Sequence, residues 1–309
     1  MSTPAALRSQ YTDFFTSNAL PALEEIFWYE LSQHPSRREE LFKIVSADKD
    51  IWQSTEMHDM DLFNELEEGE EYSFKRSKQG ASKTLNIAKF GLGFSISEEM
   101  VADGKFDFIG DMIRKLAKSG RESQEVSAMN IFNNGFASET TPDGLYVFSA
   151  SHTLPSGGTF RNLLSTAADL SPTSLEQMLL DFETQFVGDS GIVYQMIPRN
   201  LVVHPSNKRY AKELIGSELK PDSADNNMNA IKGEGLIVKS SPHLSDTDAW
   251  FLSAEPVDTG LRIVNRMPIE TKAAGPDVGF ATDSMYYKSR YREKIGVIHP
   301  KGIFGTPGA

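Results

Sequence analysis

The residue best placed to act as a nucleophile is Ser190, held in the run Gly188-Asp189-Ser190-Gly191. A serine in a tight glycine turn can present its hydroxyl to a histidine base steadied by a carboxylate, the machinery of acyl transfer. The base is badly placed. The upstream histidines are His34, His58 and His152. His152 precedes Ser190 by too short a stretch to build the two β-barrels that frame a triad of this order. A tight turn between a helix and a strand explains the same residues with less. Six histidines are scattered through the chain with no HExxH or other ligand spacing, so no metal site is expected. His152 and His204 each stand at a segment end, where a structural role is expected. The absence of cysteine excludes disulfides, thiolate metal sites and cysteine nucleophiles. Ser156-Gly157-Gly158 carries no phosphate-loop lysine, no GxGxxG opens a helix, and no carboxylate pair stands out among 43 acidic residues. We therefore expect no catalytic, cofactor-binding or metal-binding residues, and no enzyme.

The totals point to a folded protein with a substantial core. The chain has 309 residues, and 39% hydrophobic content is balanced by 24% charged residues. No apolar run approaches the ~20 residues of a membrane span. The opening MSTPAALRSQYTDFF lacks the basic segment and apolar core of a signal peptide. A net charge of −12 argues against gripping phosphates over a broad surface. It does not exclude a container for nucleic acid, which gains from not sticking to its contents.

The longest readable element is a helix over 107–134. Ile109, Met112, Ile113 and Leu116 make one apolar face, and Asp111 and Lys115 are spaced as an i,i+4 pair. Gly135 stands where a left-handed cap is wanted. Gly120, Ser123 and Ser127 continue the first face with small residues, while Val126, Met129 and Phe132 open a second. A helix pressed by two neighbours would have this pattern. Before it, Pro21 is expected to open a helix with Glu24 and Glu25 in its first turn, and Pro35 to close it. Ser36 and Glu39 then have the spacing of a capping box for a second helix. Phe14, Phe15, Ile26, Phe27, Trp28 and Tyr29 are more aromatic and aliphatic surface than such short pieces can cover alone.

Residues 65–97 read as a long hairpin with an acidic start (Glu65, Glu67, Glu68, Glu70, Glu71) and a basic tip (Lys75, Arg76, Lys78, Lys83). In its second strand the apolar phase changes from Leu85 and Ile87 to Phe90, Leu92, Phe94 and Ile96, which predicts a bulge or bend near Gly91. Such charge is either the solvated surface of an edge hairpin or an arm that docks on a neighbour of opposite charge; in the second reading Glu67, Glu68, Glu70, Glu71, Lys75, Arg76, Lys78 and Lys83 are the candidate contacts to a second subunit. A helix announced by LSPTSLEQ carries Leu175, Met178, Leu179 and Phe182. Then come a strand over GIVYQMIPRNLVVHP, a helix at 208–217, and strands at LIVKSSP and DAWFLSAE. GLRIVNRMPIE, SMYYKSRYREKIGVIHP and GIFG close the chain as β segments. Without regular βαβ alternation, the class is α+β.

Four motifs in order carry a resemblance. They are Asp143-Gly144 with Phe148 and His152, Asn162-Leu163-Leu164 before Leu170-Ser171, Pro198-x-x-Leu201-Val202-Val203-x-Pro205, and Pro242-x-Leu244-x-Asp246-x-x-Ala249-Trp250-Phe251-Leu252. In combination, from Pro142 to Glu255, the chain resembles the major head subunit of Mu-type tailed bacteriophages.

The resemblance implies the Hong Kong 97 capsid fold. Residues 1–55 would be an N-terminal arm, 56–98 an extended loop, 99–165 and 256–309 a peripheral domain with the 107–134 spine helix, and 166–255 most of an axial domain. It implies a virion protein that self-assembles into hexamers and pentamers of an icosahedral shell. That shell would enclose double-stranded DNA without sequence-specific contacts, and would be built in the host bacterial cytoplasm. A portal would join it, and whether a decoration protein does so too is left open by the resemblance. With Met1 present and no long charged helical prodomain, a separate scaffolding protein is expected. Lys75, Lys78 or Lys83 could supply the amine of an isopeptide cross-link, but nothing nearby identifies its asparagine or carboxylate, and none is predicted. The alternatives are a nanocompartment shell of the encapsulin kind and, last, a hydrolase around Ser190.

Overall fold

Proline placement and burial set the first elements of the computed structural model, which describes residues 19–57, 62–63, 65–72, 74, 79–154, 157–188, 190–219, 228–274 and 284–309. Helix α1, Ala19–Gln33, buries Leu23, Phe27 and Leu31 at i, i+4, i+8 and stops before Pro35. It is already helical at Ala19, so Pro21 does not open it and Glu24 and Glu25 lie beyond the first turn. No second helix follows. Arg38–Glu40 makes one 3₁₀ turn, and the expected capping box at Ser36 is absent because Glu125 takes the backbone N–H groups of Arg37 and Arg38 instead.

Strands β1 (Lys43–Ser46), β2 (Ile51–Met57), β3 (Gln79–Asn86) and β4 (Ala88–Ser97) come next. Short helix α2, Glu98–Ala102, is capped by Ser97 and leads into α3, Phe106–Asn133. The small pair β5 (His152–Thr153) and β6 (Thr159–Phe160) precedes α4, Pro172–Thr184. Then follow β7 (Asn200–Val203), α5 (Lys208–Gly216), β8 (Ile237–Ser240) and β9 (Trp250–Ser253). Two long strands, β10 (Leu261–Ala274) and β11 (Ser284–Val297), and β12 (Ile303–Thr306) end the described chain.

The strands form two principal sheets. One has the order β1-β10-β11-β4, with β1 parallel to β10 and the other pairs antiparallel. The other has the order β12-β9-β7-β8, with β7 and β8 parallel. The β10 register shifts between Asn265, Met267 and Glu270, around Pro268, which has no N–H to give the ladder.

The expected 65–97 hairpin is two different pairings. Strand β3 pairs with β2, Leu85 opposite Trp52, while β4 pairs with β11, Gly91 opposite Arg290. The β4 register runs without a bulge through Gly91. The change of apolar phase marks Ile87, where the chain leaves one sheet for another, its N–H on Asp50 O at 2.8 Å. Gly93 answers a different need. A Cβ there would stand 2.8 Å from the Tyr287 carbonyl oxygen. Among the described residues 65–72 and 74 there is no strand, and Lys75, Arg76 and Lys78 lie outside the described residues.

Helix α3 touches two cores, as its changing stripe suggested. Its first half buries Ile109, Ile113 and Leu116 with α1 and with Ile96, Met285 and Tyr287 of the long-strand sheet. Its second half buries Ala128, Met129, Ile131 and Phe132 against Phe42, Phe148, Phe251, Ile263 and Val297. The buried line between them runs through Ala117, Gln124 and Glu125, not through Gly120, Ser123 and Ser127. Ser123 faces outward and bonds back to the Ser119 carbonyl, and Val126 is 39% exposed. Asp111 pairs with Arg114 at 2.7 Å rather than with Lys115. Gly135 is not a left-handed cap. Its lack of a side chain admits the Phe148 ring, 2.7 Å from where a Cβ would sit.

The third core lies under the second sheet, where Leu175, Met178, Phe182 and Phe186 meet Leu201, Trp250 and Phe304. Helix α4 carries a capping box between Ser171 and Ser174 with Pro172 at its start. Of the expected strand through GIVYQMIPRNLVVHP, only β7 forms one. Among the described residues no helix is long and apolar enough to cross a membrane.

Candidate intersubunit surfaces

Ser190 sits in a closed turn. Gly191, at φ +77°, returns its N–H to the Gly188 carbonyl at 3.0 Å, and a bridge between Val187 and Val193 shuts the loop. The Ser190 hydroxyl is buried without a hydrogen-bond partner among the described residues, and Asp189 lies outside them. His152 is committed elsewhere. Its ring is fully buried, with Nδ1 2.7 Å from Asp143 Oδ2 and Nε2 3.1 Å from Asn162 Oδ1. Asn162 is itself oriented, its Oδ1 accepting from Ser149 N–H and its Nδ2 donating to the Val147 and Pro300 carbonyls. Both imidazole nitrogens therefore face oxygen acceptors. Burial would raise the Asp143 carboxyl, but hydrogen bonds from His152 and Thr141 outweigh it and hold its pKa below the ordinary value. The Asp143-Gly144…His152 motif is thus a structural clamp, with Gly144 at φ +83° making its turn. His204 bonds to Ser206 two residues on. Among the described residues, no cluster of acidic or histidine side chains is placed to hold a metal ion.

A second polar knot ties three elements together, and sequence reading missed it. Arg38 and Glu293, both nearly inaccessible, pair at 2.7 Å. Gln124 donates to Glu293 at 3.5 Å, Arg121 donates to Gln124 at 3.2 Å, and Glu125 accepts from the backbone of Arg37 and Arg38. Beside them the Tyr291 hydroxyl, buried by the sheet and near the Glu293 charge, has its pKa pushed up to about 12. Single acidic residues among 43 carry no local sign of such burial.

The candidate contact residues divide. Glu65, Glu67, Glu68, Glu70 and Glu71 all face solvent. A turn at Gly69 (φ +90°) joins them, with Glu67 N–H donating to Glu70 Oε2 at 3.0 Å. Around this acidic run Leu62, Phe63, Tyr72 and Phe74 are uncovered, Phe63 completely. Lys83 is not free at the loop tip. Its ammonium donates to the Thr140 carbonyl at 2.6 Å and hydroxyl at 3.2 Å, fastening β3 to the chain's own body.

These observations describe, among the described residues, separate cores, a loop whose aromatic residues are exposed, and no assembled catalytic group. The family model for phage capsid proteins matches residues 80–305, about three quarters of the chain. The chain belongs to the phage capsid protein family. Solved structures of similar fold include the virus-like particle from Pyrococcus furiosus, at TM-score 0.56 and 12% identity, covering 94% of this chain and 99% of that one. The capsid of cyanophage P-SCSP1u is similar at TM-score 0.56 and 12% identity, covering 89% of each chain. The capsid of the native GTA particle is similar at TM-score 0.57 and 12% identity, covering 89% of this chain and 90% of that one. No curated protein sequence matches. This phage capsid protein therefore has the α+β fold of the Hong Kong 97 type and serves as a shell subunit.

Proposed function

We propose that this protein is the major head subunit of a Mu-type tailed phage, assembling into hexamers and pentamers of an icosahedral shell around double-stranded DNA. The observation that carries the shell role is the capsid family match over 80–305 on a capsid fold. The Mu-type assignment rests on the ordered motifs between Pro142 and Glu255. In this reading, residues 1–55 are the arm and 56–98 the extended loop, although β4 within that range serves the long-strand sheet. Residues 99–165 and 256–309 make the peripheral domain around α3. Residues 166–255 make most of the axial domain, to whose sheet β12 adds an edge. The loop reaches a neighbouring subunit through its glutamates and, at its tip, through Lys75, Arg76 and Lys78. A separate scaffolding protein, a portal and a decoration protein are the expected partners, with assembly in the host cytoplasm.

Electron microscopy of the purified protein, alone and co-expressed with the products of neighbouring genes, tests this. Closed shells, tubes, or rings of five and six subunits are expected. A monomer under every condition would overturn the reading. Because the fold is shared with a virus-like particle, a shell around protein cargo is the competing reading. Nuclease-protected double-stranded DNA within native particles separates the two.

A further inference from the structure

A neutral imidazole carries one N–H and one bare nitrogen, so it needs one acceptor and one donor. His152 meets acceptors on both sides. Its Nδ1 lies 2.7 Å from Asp143 Oδ2, and its Nε2 lies 3.1 Å from Asn162 Oδ1 and 3.3 Å from the Val147 carbonyl. Turning the Asn162 amide over would not supply the missing donor cheaply. Its nitrogen would then face the Ser149 N–H, which now donates to Oδ1 at 2.8 Å. Its oxygen would face the Val147 and Pro300 carbonyls, now 2.7 and 3.2 Å from Nδ2. Those three contacts fix the amide as it stands. Asp143 does not take up the proton either. Its Oδ1 accepts from the Leu145 N–H at 3.2 Å and from the Thr141 hydroxyl. Burial opposes ionisation of that carboxyl, but the hydrogen bonds from His152 and Thr141 outweigh it. Beside the imidazole, with 5.3 Å between ring centroids, lies Phe160, an aromatic face that favours a cation.

We infer that His152 is a buried imidazolium, and that its second ring proton anchors the C-terminal strand β12 to the segment after β6. The connection runs through Asn162, which like His152 is fully buried. The Asn162 N–H donates to the Ser149 carbonyl at 3.1 Å, and its own carbonyl accepts from the Gly305 N–H at 3.0 Å. Leu163 bridges to Gly305, and the Leu164 N–H donates to the Gly305 carbonyl at 3.4 Å. When alkali takes the Nε2 proton into solvent, a lone pair is left against two oxygens in a buried site. Asn162 must then turn, giving up Ser149, Val147 and Pro300, or withdraw and release Gly305. Either movement loosens β12 and the cover that Phe304 gives the third core. The clamp is therefore whole while the ring keeps both protons and opens when one is lost. Asp143 is the carboxylate that faces the ring. Of the charged groups on the flanking elements, Lys83 is spent on Thr140 and Arg161 on Asp181, while His299 and Lys301 adjoin Pro300. The inference concerns the single subunit, and it holds or fails independently of the shell reading.

The test is a pH titration of the unassembled full-length chain, labelled with ¹⁵N at histidine and followed by nuclear magnetic resonance. The His152 signals are identified by their loss in His152→Gln, or by proximity to the Phe160 ring should that variant not fold. Both His152 nitrogens should be protonated, and should stay so through the range near pH 6.5 in which exposed histidines titrate. In alkali the second proton should leave in the same step in which the Gly305 amide loses its protection from hydrogen exchange. Asp143→Asn should return the ring to a single proton; if it does not fold, the wild-type spectra decide alone. A singly protonated His152, a ring that titrates with the exposed histidines, or Gly305 protection that survives loss of the proton would overturn the proposal.

Discussion

At the scale of single residues, the decisive groups are buried, and their effects are on stability. His152 bridges Asp143 and Asn162 inside the clamp. His152→Ala would strand a buried carboxylate, and a loss of about 3–5 kcal/mol in denaturant unfolding is expected. His299 responds to pH. Its Nδ1 is buried without a partner among the described residues, and burial, with Arg262 and Lys301 nearby, pushes its pKa down to about 4. Below about pH 6.5 the unfolded chain takes up a proton that the folded chain refuses until about pH 4. Stability should therefore fall with acidity across that window, by about 1–3 kcal/mol. His299→Gln should flatten that part of a melting-temperature profile. The Asp143 carboxyl acts lower on the scale. Its depressed pKa adds stability above the ordinary carboxylate range, and that contribution is lost as pH drops through the folded value.

At the scale of elements, the knot of Arg38, Glu293, Gln124 and Glu125 fastens the segment after α1 to the middle of α3 and to β11. Arg38→Ala should cost about 3–5 kcal/mol, because it leaves the Glu293 carboxylate buried and alone. The double change Arg38→Met/Glu293→Leu should cost far less, and chemical denaturation of the set checks both. Elements written in local spacing were legible beforehand. The apolar repeat of α3 and the Ser171–Ser174 cap of α4 each depend on residues within a few positions. Pairings set over distance were not. Nothing near Gln79–Asn86 says that its partner is Ile51–Met57, so a local hairpin was the natural misreading. Lys43–Ser46 was hidden because the preceding REEL reads as helix, while its true partner, Leu261–Ala274, lies more than two hundred residues away. The glutamates of 65–71 were visible as a charge run, whereas the burial of Glu125 and Glu293 needed α3 and β11 to be laid side by side.

At the scale of the whole molecule, Leu62, Phe63, Tyr72 and Phe74 stay open to solvent in the single chain. Phe63→Ser/Phe74→Ser should leave the melting temperature of the unassembled subunit unchanged, since both rings are open to solvent. Shell yield by sedimentation should fall sharply. Unchanged yield would show that these rings stay wet in the shell. If the proposed shell encloses DNA, a net charge of −12 would present like charge to it.

The placement of β12 bears on the order of synthesis. Phe304 fills the third core, Ile303–Thr306 closes the edge of β9, and Gly305 N–H reaches back to Asn162. On the ribosome, the face formed by Phe182, Phe186 and Trp250 must wait for some three hundred residues to emerge before its cover arrives. A nascent subunit therefore remains visibly unfinished to chaperones and proteases until translation has passed residue 306. A product truncated before residue 303 would leave that aromatic face without Phe304 and without the strand that closes β9.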